Sequence, residues 1–114
     1  MTPRDVLIHA NGEDQAALRT ALRVARQAAE ELPAGTRFHV VVQGPLVAQL
    51  TVGSDFSADL ASTVSDTVEV SACRNSLQRA GIEPSVLQPI VTTVASAGAY
   101  LAAKQWDGWA YLRY

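Results

Sequence analysis

The sequence predicts an α/β fold in which a mostly parallel sheet carries helices on both faces. Three observations predict it. Short apolar runs rich in β-branched residues recur along the chain, as expected of strands covered on both faces. Between them lie stretches whose apolar residues fall three and four apart, as a helix with one buried stripe requires. The connecting segments are short, and strands alternating with helices close into a parallel sheet through right-handed crossovers. At 114 residues the chain fits a single domain, 1–114, with a core that needs no metal or disulfide staple.

The first strand is read over Asp5-Val6-Leu7-Ile8-His9-Ala10, ended by Asn11-Gly12. A helix follows from Glu13 to Leu32. Its buried stripe runs through Leu18, Leu22, Ala25, Ala29 and Leu32, Glu13 and Asp14 sit in its first turn, and Pro33-Ala34-Gly35 stops it. Arg19, Arg23 and Arg26 line one side of it and read as a solvated face. Arg37 to Gln43 is a second buried strand, cut off by Gly44-Pro45. Leu46 to Leu50 reads as a short helix over the sheet edge, Thr51 to Phe56 as a loop, and Ser57 to Ser65 as another short helix. Val68 onward alternates as a strand, changes to helical spacing at Cys73, and stops at Gly81. Glu83 to Pro89 is an irregular bridge with two prolines. Ile90 to Val94 is a fourth strand, Ser96 to Lys104 or Trp106 a small-residue helix with Ser96 as its N-cap, and Trp109 to Arg113 a fifth strand. Trp106 and Trp109 read either as a cover over the core end or as part of a subunit interface.

Composition excludes several classes of function. The net charge is −2 with no run of like charges, unlike the basic footprint of a nucleic-acid binder. No apolar run approaches the roughly 20 residues of a membrane span. The opening Met1-Thr2-Pro3-Arg4-Asp5 leads into an apolar segment too short for a signal-peptide core. A single cysteine makes no intrachain disulfide. These features predict a cytoplasmic protein that contacts neither nucleic acid nor membrane. His9, His39 and Cys73 do not have zinc spacing, and there is no GxGxxG, phosphate loop or nucleophile elbow, so neither a metal nor a cofactor is expected.

Chemistry belongs at the carboxyl ends of the strands. That edge collects His9 and Asn11 after the first strand, Gln43 and Gly44 after the second, Cys73 and Asn75 after the third, and Ser96 after the fourth. Cys73 is the candidate catalytic residue and the others are candidate binding residues. A thiol between a strand end and a helix start meets free N–H groups that favour its thiolate. Against that stands the habit of free cysteine to pack as a small hydrophobe. Arg74 is adjacent, but neighbouring side chains on a helix do not face each other.

Three segments resemble a known family. Val70-Ser71-Ala72-Cys73-Arg74-Asn75-Ser76-Leu77 with Gly81-Ile82 is similar to the "aC-x-n-t-L…Gi" segment of the DsrE/DsrF-like superfamily, the small sulfur-relay proteins and their stand-alone bacterial relatives. Val41-Val42-Gln43-Gly44-Pro45-Leu46-Val47 resembles the family's strand ending in a glycine before a short helix. Gln105-Trp106-Asp107-Gly108-Trp109-Ala110-Tyr111-Leu112 resembles its C-terminal closure. The resemblance implies a three-layer, Rossmann-like α/β/α sandwich with a five-stranded sheet, assembled as a homo-oligomer, trimer or hexamer. It also implies that Cys73 carries sulfur as a persulfide between donor and acceptor proteins, with Asn75 and His9 orienting or protonating. The other expectation the residues allow is a non-catalytic oligomeric module that binds a small molecule or partner, with Cys73 merely packed.

Overall fold

The computed structural model describes residues 4–114, so the reading of Met1-Thr2-Pro3 as no leader lies outside the described residues. Five parallel strands form one sheet in the order β4-β3-β2-β1-β5. They are β1 (Val6–Asn11), β2 (Phe38–Gln43), β3 (Val68–Cys73), β4 (Thr92–Val94) and β5 (Ala110–Arg113). The helices are α1 (Gln15–Glu31), α2 (Ser57–Thr63), α3 (Arg74–Ala80) and α4 (Ala97–Trp106), with 3₁₀ turns at Gly44–Leu50 and Pro84–Val86. The arrangement is a three-layer α/β/α fold.

Alternation along each strand splits its side chains between the two faces. Val6, Ile8 and Ala10, Val40 and Val42, and Val68, Val70 and Ala72 join one large core with Leu18, Leu22 and Ala25 of α1. Leu46, Val47 and Leu50 of the first 3₁₀ turn, Phe56, Leu60 of α2 and Leu77 of α3 complete it. The opposite face has a smaller apolar cluster, made by Leu7, Val41, Cys73, Val94, Ala97 and Leu101, with Tyr100 and Trp109 against it. α4 is the helix that covers this side.

Several details differ from the sequence reading. Asp14 is the N-cap of α1, its carboxylate accepting from the Ala16 N–H at 2.9 Å, so the helix starts at Gln15, two residues later than Glu13. Ala29 is exposed and Ala28 takes its place on the buried side. Arg19 and Arg23 are exposed as expected, whereas Arg26 is half-buried, and Arg19 and Arg26 both have partners. Arg19 pairs with Asp59 at 2.7 Å and lies over the Phe56 ring, while Arg26 donates to the Thr63 hydroxyl at 2.6 Å. The two arginines fasten α2 to α1. β4 is only three residues long, because Pro89, which has no N–H, and the Val91 N–H to Gln88 carbonyl bond at 2.9 Å make a turn of the segment before it. Ile90 is therefore exposed. Ser96 occupies the N-cap position of α4, but its side chain makes no capping bond. Trp106 is 85% exposed and covers nothing. Trp109 is half-buried, with the Arg37 and Lys104 cations over its ring.

Candidate functional site

The register of the strands aligns the site. Asn11 pairs with Gln43 across β1 and β2, and Cys73 pairs with Val94 across β3 and β4. Val42 pairs with Ala72, so one further step along the two strands brings Gln43 beside Cys73 on the α4 face. The change of period at Cys73 is real: β3 ends on it, and it is the N-cap residue of α3. Gly81 closes α3 in the left-handed conformation, φ 70°, which glycine adopts without cost.

Cys73 is a free thiol only 2% exposed. Burial pushes its pKa up, yet nearby donors outweigh it and the thiol lies below its ordinary value. The downward influence comes from the N–H groups of Ser76, Ala97 and Asn75 and from the Ser76 hydroxyl. The starts of two helices, α3 and α4, thus favour negative charge on the thiol. Ser76 is itself anchored, its oxygen accepting from the Gly44 N–H at 2.8 Å. Gly44 is required where it stands. Its φ is +77°, and a Cβ there would come within 3.0 Å of the Asn11 Oδ1 and 3.1 Å of the Gly12 nitrogen.

His9 does not touch the sulfur. Its Nδ1 lies 2.6 Å from the Tyr111 hydroxyl and its Nε2 lies 2.8 Å from the Gln43 Oε1. A carboxamide oxygen only accepts, so Nε2 carries the hydrogen and Nδ1 accepts from the tyrosine. Burial holds His9 below its usual pKa, with the Gln43 bond opposing and Arg113 assisting. The same face carries a second buried histidine. His39 lies between the Tyr100 hydroxyl on Nδ1 and the Ser71 hydroxyl on Nε2, both at 2.6 Å, and Ser71 continues to Thr92 and Glu69. His39 is thus a satisfied, helix-contacting residue.

The anticipated crevice is present, a cleft of about 570 Å³ lined by Asn11, Gln43, Gly44, Pro45, Ser76, Arg79 and Ala80. It gathers three of the predicted residues, Asn11, Gln43 and Gly44. His9 stands behind Gln43. Asn75 is exposed, and its N–H, like that of Ala97 directly after Ser96, favours charge on the thiol. Arg74 turns away, donating to the Thr93 hydroxyl at 3.0 Å. Sequence reasoning missed Ser76, Ala97, Arg79 and Tyr111. Ser76 and Arg79 had a legible signal, three and six positions beyond Cys73 on a short helix at the crevice. The Ala97 N–H had none, since a backbone donor leaves no mark in residue type. Among the described residues no cluster of three or more histidine, cysteine or acidic side chains could hold a metal ion, and no helix is long and apolar enough to cross a membrane.

No protein-family model matches the chain, and no curated protein is similar to it. Solved structures are. A protein of unknown function, MTH1491 from Methanobacterium thermoautotrophicum, is 26% identical with a TM-score of 0.89, over 97% of this chain and 99% of that one. The ychN protein from E. coli is 18% identical with a TM-score of 0.75, over 97% and 99%. A conserved protein of unknown function, BT1422 from Bacteroides thetaiotaomicron, is 11% identical with a TM-score of 0.70, over 95% and 94%. The chain thus shares a small α/β/α fold with proteins from an archaeal and two bacterial sources, matched over nearly the full length of each.

Proposed function

We propose that this protein is a sulfur carrier of the DsrE/DsrF-like kind that holds a persulfide on Cys73. The observation that carries the reading is the place of Cys73, the last residue of β3 and the N-cap of α3, where nearby N–H groups lower the pKa of the thiol against the effect of burial. A thiolate is the nucleophile of sulfur exchange. Cys73 attacks the outer sulfur of a donor persulfide, the donor's S–S bond breaks, and the donor leaves as a thiolate. Delivery is the same exchange run toward an acceptor thiolate. With one cysteine in the chain, no internal thiol resolves the persulfide, so the acceptor is another molecule, a partner protein in the relay scheme. Intact mass after incubation with a sulfane-sulfur donor tests this. The expected result is a gain of one sulfur in the wild type and none in Cys73→Ser; no gain, or equal gain in both, overturns it.

The same reading includes a homo-oligomer, trimer or hexamer, in the cytoplasm. Tyr111 and Leu112 of the edge strand β5, and Tyr114 just after it, are each more than a third exposed, which supports a subunit contact there; a sedimentation mass of one chain would remove it. One observation favours a second reading, a binding module without sulfur chemistry. Cys73 is buried among Leu7, Val41, Val94 and Leu101, as a packing cysteine is. The two readings part on the acidity of the thiol.

A further inference from the structure

The cleft at the carboxyl ends of β1 and β2 stands apart from the sulfur chemistry, since Cys73 is not among its lining residues. Its volume of about 570 Å³ falls within the roughly 300–1,000 Å³ of small-molecule sites. Its walls are held in place by hydrogen bonds. Gly44 donates its N–H to the Ser76 hydroxyl oxygen at 2.8 Å, and Leu46 donates to the Gly12 carbonyl at 2.9 Å. These bonds tie the segment after β2 to α3 and to the turn after β1, so the cleft is preformed. Its charge is one-sided. The chain has a net charge of −2, yet the lining has one cation, Arg79, and no carboxylate. Among the described residues Arg79 makes no ion pair, whereas Arg19 and Arg37 are each paired to an aspartate. Gln43 adds donors of fixed direction. Its carboxamide oxygen accepts from His9 Nε2 at 2.8 Å, and the Tyr111 hydroxyl holds the far side of His9 at 2.6 Å, which leaves the Gln43 NH₂ group for the cleft. Pro45 and Ala80 supply apolar wall.

We propose that this cleft is a binding site for an organic monocarboxylate, with Arg79 and the Gln43 NH₂ group on the carboxylate and the apolar part of the ligand against Pro45 and Ala80. A guanidinium and N–H donors recognise carboxylate oxygens. One cation among neutral groups matches one negative charge. A phosphate monoester carries about −1.5 to −2 near neutral pH, and its excess charge would meet no second cation in the lining. A cationic ligand would meet Arg79 with no carboxylate to offset it. Size points the same way. A carboxylate group alone occupies a small part of the cleft, and the apolar wall favours a ligand with a hydrocarbon body over a bare anion. The site goes beyond the carrier reading and does not use Cys73, so the two stand or fall separately.

The test titrates the protein with hexanoate, its neutral amide hexanamide, and hexyl phosphate. Nitrogen–proton correlation spectra follow the side-chain NH₂ signals of Asn11 and Gln43 and the Gly44 N–H. The expected result is that hexanoate shifts these signals and binds about fivefold tighter than hexanamide, the upper end for an ion pair to an exposed cation. Hexyl phosphate binds more weakly than hexanoate. Arg79→Gln brings the acid and the amide to equal affinity, and Arg79→Lys keeps part of the difference. Arg79 is exposed, so the rest of the spectrum of Arg79→Gln stays in place and reports an intact fold. Gln43→Glu keeps an acceptor toward His9 but replaces the donor with a negative charge, and it abolishes binding of hexanoate. Four results overturn the proposal: no shift of the cleft signals by hexanoate, equal affinity for acid and amide in the wild type, a difference that Arg79→Gln leaves unmoved, or tighter binding of hexyl phosphate. None of them alters the sulfur gain at Cys73, which intact mass decides on its own.

Discussion

The two faces of the sheet are built from alternate residues of the same strands, yet they do different work. Toward α1, the sheet presents Val6, Ile8, Ala10, Val40, Val42, Val68, Val70 and Ala72, without a polar side chain in the cluster. Toward α4, it presents Leu7, His9, Asn11, His39, Val41, Gln43, Glu69, Ser71 and Cys73, and one ten-residue helix covers it. The first face is a dry core, stabilised by area removed from water. The second is a polar face whose buried groups are all partnered: among the described residues no buried side-chain nitrogen or oxygen is left without a hydrogen bond. The difference shows why chemistry collects on one side. A face sealed by a 17-residue amphipathic helix has no room for groups that must be reached. A face sealed in part can hold histidines and a thiol against an open cleft, provided each finds a partner.

Two substitutions break the comparison from either side. Leu22→Ala removes a fully buried side chain from the dry face and should cost about 2–5 kcal/mol, the range for such a cavity. His39→Ala on the polar face should cost less, about 1–3 kcal/mol, mainly from the loss of the bond that Ser71 and Tyr100 each make to the ring. Urea unfolding of both variants measures the pair, and a larger loss for His39→Ala would reverse the ranking. A smaller effect follows from pH. Burial is the main cause holding both His39 and His9 below the ordinary histidine value of 6.5. The unfolded chain then binds more protons than the folded one as pH falls through 6.5, so their contribution to stability is present above that value and declines below it. Unfolding at pH 7.5 and 5.5 should show this decline, and His39→Ala should reduce it. A decline of the same size in that variant would place the effect elsewhere.

The dry face was legible in the sequence because it is periodic. The spacing of Leu18, Leu22 and Ala25 and the apolar runs around Ile8 and Val40 reported it directly, and with it the layers and the sheet. Cys73 was legible as a junction, because strand alternation gives way to helical spacing there. The rest of the polar face was not. His9 meets Tyr111 across 102 positions and His39 meets Tyr100 across 61, distances over which no local pattern speaks. The donor from Ala97 belongs to the backbone. Trp106 misled in the other direction: its apolar bulk reads as core, but it projects into solvent. The arginines of α1 read as surface because charge predicts exposure, and Arg19 is exposed, but its partner and that of Arg26 lie on α2, 40 and 37 positions further on, where no local pattern points to them.

On the proposed carrier reading, the polar face serves to hold Cys73 as a thiolate. Ultraviolet absorbance of the thiolate, followed against pH in the wild type with Cys73→Ser subtracted, measures that directly. The predicted midpoint lies below that of an ordinary free cysteine, with a Ser76→Ala variant titrating higher than the wild type. A midpoint at or above that value, unmoved by Ser76→Ala, would make Cys73 a packing residue and contradict the account.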